Sequence, residues 1–275
     1  CGTADGIAGH DGPLSPMSIA NTKDLLEEAY ERYARPEFIE NDPIQVPRTF
    51  SDRKNAEVIG FLTATIAWGQ RKTIINNAWK LVELMDRTPH AFVMNATEQD
   101  LSTLDRFVHR TFNGVDLRHF ILGLRHVYTR YGGLEDAFFP TPTKEKPMPW
   151  SAPEGIALFK QRFFEPAHER RTQKHVADPA KGSNAKRINM YLRWMVRPND
   201  RGIDMGHWKR IPTSALLVPL DVHTGRVGRD LGLLHRKQDD LKAVLELTER
   251  LREFDPVDPV RYDIALFGMG VDKGN

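Results

Sequence analysis

Apolar residues recur at three- and four-residue intervals along almost the whole chain, and no stretch of useful length alternates as a half-buried strand must. That periodicity predicts an all-α fold. Leu25, Leu26, Ala29 and Tyr30 fall on one face of a helix beginning near Asn21. Residues 52–68 form a second helix, and Ile74, Ile75, Ala78, Leu81, Val82 and Met85 mark a strongly amphipathic third. Similar stripes predict helices over 98–104, 117–131, 134–138, 152–164, 186–195, 222–231, 240–254 and 259–267, with 216–220 a short extended apolar run. Four prolines within 139–150, and Gly, Pro and charge mixed within 198–212, mark loops. Many short helices without a repeat favour a bilobal orthogonal packing over a simple bundle. The expected lobes are roughly 56–204 and 21–55 plus 205–275, after a flexible tail over 1–20 that reads as loose chain or a cloning remnant.

With 275 residues, 40% apolar and 28% charged, the chain has material for a sizeable core, and general disorder is excluded. The single cysteine, Cys1, excludes an intrachain disulfide, a cysteine zinc site and a four-cysteine iron–sulfur cluster. The chain is accordingly expected to be a cytoplasmic monomer with no metal, no cofactor and no membrane span. Net charge is only +2, but residues 160–212 hold 13 Lys plus Arg against 5 Asp plus Glu. A block of that sign suits a phosphate-bearing partner, or it is a solvated face balanced by acidic neighbours.

Inside this block, Gly182, Ser183 and Asn184 form a turn that leads directly into a helix with Ile188, Tyr191, Leu192 and Met195 on its buried face. Such a turn presents backbone N–H groups at a helix N-terminus, where a phosphate can be held. Lys186 in the first helical turn is opposed by the dipole and by Lys181 and Arg187, which predicts a lowered pKa and a nucleophilic amine. Its other reading is a solvated phosphate contact. Further on, the run Leu216 to Leu220 ends in Asp221 immediately before a helix. Asp221 is therefore either an N-cap or a carboxylate set at the edge of a cleft to stabilise developing positive charge, and both roles can coexist. His223 and His207 lack metal-ligand spacing and read as ordinary packing residues.

The Gly182-Ser183-Asn184-Ala185-Lys186 turn followed by Leu220-Asp221-Val222-His223 resembles the helix–hairpin–helix superfamily of DNA glycosylases, which carry a hairpin ending in a catalytic lysine and a later Val-Asp-X-His motif. The resemblance implies that Lys186 attacks C1′ of a damaged nucleotide and that Asp221 assists. It is closest to the archaeal 8-oxoguanine glycosylase branch, with residues 197–214 as an apparent insertion relative to the endonuclease III type. The segment Ala64 to Lys72 is similar to the family's early loop, which places Gln70 and Arg71 near the extruded nucleotide, and residues 254–270 are also similar to an uncharacterised bacterial group within or beside the superfamily. The implied function is a bifunctional glycosylase and abasic-site lyase of base-excision repair acting on damaged duplex DNA, gripped by Gly182, Ser183, Asn184 and Arg187. Trp68, Trp194 and Trp208 are candidates to stack on the base. The chain departs from the family's Gly-X-Gly hairpin, so Asn184 is expected to take the positive φ. Two alternatives stand beside this reading: a non-catalytic nucleic-acid-binding module using the same hairpin, and a helical enzyme acting on a small nucleoside or nucleotide.

Overall fold

A computed structural model describes residues 19–141 and 149–272. The expected tail with Cys1, apart from Ile19 and Ala20, and most of the proline-rich loop lie outside the described residues.

Eleven α-helices and one two-stranded hairpin make up the regular α and β structure of the described residues: α1 (Ile19–Tyr33), α2 (Arg53–Thr65), α3 (Arg71–Leu84), α4 (Pro89–Asn95), α5 (Glu98–Ser102), β1 (Val108–His109), β2 (Phe112–Asn113), α6 (Gly114–Tyr131), α7 (Ala152–Phe163), α8 (Lys186–Val196), α9 (Val222–Asp230), α10 (Leu241–Phe254) and α11 (Arg261–Asp272). The fold is all-α, and no helix among the described residues is long and apolar enough to cross a membrane. The expected helix over 134–138 is a single 3-10 turn, Asp136–Phe138.

Helix α2 is the hub. Asp52 caps it by accepting from the Asn55 N–H at 2.8 Å, and every residue from Ala56 to Thr65 is buried, as expected for a helix enclosed on all sides. Phe61 on this helix meets Phe120 of α6, Phe159 and Phe163 of α7 and Tyr191 of α8 with ring centroids 5.3–5.7 Å apart. Aromatic pairs at that spacing add to the stabilisation that comes from burying their area. Helix α6 starts from a capping box between Asn113 and Asp116 and ends at Gly132 with φ +87°, a left-handed stop that glycine accepts without strain.

A second group of helices brings the two ends of the chain together: α1 and α9 both pack on α11, and α10 lies against α9, where Gly228 leaves room for Leu247. The buried apolar residues of the two groups form one continuous cluster. Residues 197–214, expected as an insertion, are built into this core. The Met205 N–H donates to Trp194 O at 2.7 Å and the Trp208 N–H to Met195 O at 2.8 Å. The fully buried Trp208 indole donates to Glu57 at 2.8 Å.

Candidate active site

A cleft of about 670 Å³ opens between the two helix groups. It is lined by Trp68 from the α2–α3 connection, Arg71 at the start of α3, Lys186 and Arg187 from α8, Asp221 at the start of α9 and Asp263 on α11, among others. Lys186 and Asp221, far apart in the chain, thus share one cavity.

The hairpin that carries Lys186 is held by local polar chemistry. Asp178 opens a 3-10 turn, Pro179–Lys181, and Gly182 follows at φ +82°. The Leu241 N–H donates to Gly182 O at 3.0 Å, and Ser183 bridges to Asp240. The second left-handed residue is Ala185, at φ +48°, and Asn184 does not have a positive φ. Asn184 is instead committed through its side chain: Oδ1 accepts from the Lys186 N–H at 3.3 Å, and Nδ2 donates to Leu220 O at 3.3 Å. That last bond ties the hairpin to the residue before Asp221. Alanine at a left-handed position costs about 1–2 kcal/mol, and here its methyl group is buried.

The backbone of the turn is less available than the sequence implies. The N–H groups of Gly182 and Ser183 donate to Pro179 O and Asp178 O. Those of Ala185 and Lys186 donate to the Ser183 hydroxyl and the Asn184 carboxamide. These short polar side chains engage two N–H groups at the start of α8, which leaves fewer of them for a ligand phosphate.

Asp221 is an N-cap: Oδ1 accepts from the His223 and Thr224 N–H groups, both at 2.9 Å. It also lines the cleft. His223 packs on Phe267, and its Nδ1 lies 3.3 Å from Gly270 O, a packing role as expected.

Asp263 was not singled out in the sequence, although a carboxylate directly before the apolar residues Ile264 to Phe267 is a signal that could have found it. It is 4% exposed. Its Oδ2 accepts from Arg193 Nη1 at 2.5 Å, and its Oδ1 lies 3.3 Å from the hydroxyl of Thr224. Arg193 also donates to Asp204 at 3.2 Å, and Asp204 accepts from Arg197 at 2.6 Å, which pairs with Asp258. Burial pushes the Asp263 carboxyl up to about 6, opposed by the positive charge of Arg193, reinforced by Asp221 and opposed again by Lys186.

Trp68 lines the cleft and carries the Arg187 guanidinium 4.7 Å from its ring centroid, a cation–π contact. Arg187 donates to Thr65 O, and burial without a paired carboxylate lowers its pKa to about 10. Arg71 lies over Phe267 at 5.0 Å. Four of the expected residues do not line the cleft: Gly182, Gln70, Trp194 and Trp208, the last fully buried. Trp194 is wholly buried in the core because α8 turns that face towards its neighbours, and exposed Gln70 is the N-cap residue of α3, beside the lining residues Gly69 and Arg71. Part of the basic segment is not free to face a phosphate. Arg193 and Arg197 are buried in ion pairs, and Arg162 and Lys160 donate to backbone carbonyls. Arg201 and Arg210 pair with Glu31 and Asp136. From that segment Lys174, Lys186, Arg187 and Arg193 line the cleft.

Residues 42–272 match the model of a protein family described as a protein of unknown function, DUF2400, and the chain belongs to that family. No curated protein and no solved structure matches it significantly.

Proposed function

We propose that this protein is a helix–hairpin–helix-type DNA glycosylase with abasic-site lyase activity. The observation that carries the reading is the convergence of Lys186, Asp221 and the exposed part of Trp68 on one cleft. An extruded base stacks on Trp68 while Arg71, Lys174 and Arg187 offset phosphate charge, and extrusion costs a few kcal/mol, least at a damaged or mispaired base. The Lys186 amine gives its lone pair to C1′, and the C1′–N glycosidic bond breaks with its electron pair leaving on the base, which takes up a proton. Asp221 stabilises the positive charge that builds on the sugar. Loss of the second amine proton and ring opening give an imine. Abstraction of a C2′ proton then expels the 3′ phosphate, which cuts the strand.

Among damaged bases, the resemblance to the archaeal branch favours 8-oxoguanine. Borohydride trapping on duplexes carrying 8-oxoguanine, uracil, an oxidised pyrimidine or an abasic site tests the reading. A covalent adduct is expected with the wild type and lost in Lys186→Gln. No adduct on any duplex, with salt-sensitive binding intact in both proteins, assigns the cleft to a non-catalytic nucleic-acid-binding module instead.

A further inference from the structure

We infer that Arg110, at the tip of the β1–β2 hairpin, is a backbone-phosphate contact for a nucleic-acid strand entering the cleft. The inference rests on the nucleic-acid part of the reading above and not on its chemistry.

Arg110 and Thr111 are the two turn residues of the hairpin, between the paired His109 and Phe112. Arg110 has φ +55°, a left-handed backbone that strains an arginine and that glycine adopts freely. Two-residue hairpin turns favour glycine, asparagine or aspartate at such a position, so a long cationic side chain is held there against the local preference. Strain of this kind persists only where the surrounding structure enforces it, and it gathers at functional sites.

The surroundings do enforce it. Behind the turn, the buried His109 ring meets Trp68 edge-on with centroids 4.9 Å apart. Its two nitrogens lie 2.8 Å from Asn77 Nδ2 and 3.1 Å from Trp68 O. On the other side, Arg171 donates to Thr111 O at 3.0 Å and to Asn113 Oδ1 at 3.1 Å, and it pairs with the buried Asp116. The turn is thereby fixed to the α2–α3 connection that carries Trp68. The exposed side chain of Arg110 lies over Gly69, where an added Cβ would stand 3.1 Å from Arg110 Nη1 and 3.4 Å from its Cδ. Gly69 lines the cleft, so the guanidinium stands at the mouth.

The positive charge at this mouth is uncommitted. Among the described residues no carboxylate pairs with Arg110, nor with Arg71 or Lys174, which line the cleft. The buried Arg193 and Arg197, by contrast, are held by carboxylates on both sides. A free guanidinium offers a planar fork of N–H donors that matches a phosphodiester. Because Trp68 and Gly69 are adjacent in the chain, a base stacked on Trp68 brings its own sugar–phosphate within reach of Arg110.

The test is binding of wild type, Arg110→Gln, Arg110→Lys and Arg110→Gly to an 8-oxoguanine duplex and to an undamaged duplex, by fluorescence anisotropy from about 50 to 200 mM salt. Arg110→Gln is expected to weaken both duplexes alike, by about five- to tenfold near 0.1 M salt, and to lower the slope of log affinity against log salt by about one. Arg110→Lys should keep the slope. Arg110→Gly should lose affinity as the glutamine variant does, yet melt at or above the wild-type temperature, because the strained side chain is gone. An unchanged slope in Arg110→Gln overturns the inference, as does a loss confined to the lesion duplex, which would make Arg110 a reader of the base. A melting temperature that falls together with affinity in Arg110→Gly assigns Arg110 to holding the hairpin and also overturns it. If the wild type shows no salt-dependent binding to either duplex, the nucleic-acid reading fails and takes this inference with it. Wild-type binding without a borohydride adduct removes only the lyase chemistry, and the slope still decides the role of Arg110.

Discussion

Asp263 and Trp68 show how much the surroundings of a single side chain determine what it does. A carboxyl held near pH 6 in the folded chain against a usual value of 3.8 binds its proton more tightly when folded. Its contribution to stability is complete below the unfolded value and is lost as the pH rises through about 6. Two pKa units correspond to ~3 kcal/mol. Urea unfolding of wild type and Asp263→Asn at pH 4.5 to 7.5 is therefore expected to show the wild type losing stability relative to the variant, by up to ~3 kcal/mol. Parallel curves would count against a raised carboxyl. At Trp68 the expected outcome is on binding: Trp68→Ala should weaken lesion-duplex affinity by ~1–3 kcal/mol if a base stacks there. Trp194→Phe, in the core, should leave affinity and its salt dependence alone. Equal losses in both would mean that Trp68 acts through packing.

At the scale of elements, Asp221 combines a structural and a chemical duty that two substitutions separate. Asp221→Ala removes the cap of α9 and is expected to cost about 1 kcal/mol of stability as well as the chemistry. Asp221→Asn keeps a side-chain acceptor for the His223 and Thr224 N–H groups, so its melting temperature should stay close to wild type while adduct formation falls. An active Asp221→Asn would assign Asp221 to capping alone. This cap was legible in the sequence, as were α2 behind Asp52 and α10 behind Asp240, because an N-cap and a helical stripe are both local signals. Helix α4 was not legible, since seven residues burying only Pro89 and Val93 make no stripe. The hairpin of β1 and β2, with two residues per strand, is too short to alternate. The conformation at Ala185 escaped for another reason: sequence identifies Asn184 as the better left-handed residue, but a tertiary bond from Asn184 to Leu220 engages that side chain elsewhere. The co-location of Lys186 and Asp221 followed from motif order, whereas the fate of the basic segment did not. Composition counts charges without showing which will be buried against Asp204, Asp258 or Asp263.

Over the whole molecule, buried ionisable groups determine how the two helix groups respond to acid. Burial holds both His119 and His175 down to about 4. His119 stacks on Phe164, and His175 lies 3.3 Å from the fully buried Asp116. A histidine with a depressed folded pKa contributes stability that is present above its unfolded value of 6.5 and is lost as the pH falls towards the folded value of about 4. Each represents up to ~3 kcal/mol, so the pair outweighs the ~3 kcal/mol that Asp263 returns over the same range. Against total stabilities of about 5–15 kcal/mol for folded domains, a net loss of ~3 kcal/mol is large. Thermal unfolding should therefore show a marked drop in midpoint between pH 7 and pH 4.5. His119→Phe, which replaces a ring that cannot charge without cost by one that cannot charge at all, should make the drop shallower while leaving α6 packed on Phe163 and Phe164. An identical pH dependence in the variant would locate the acid sensitivity at His175, beside Asp116.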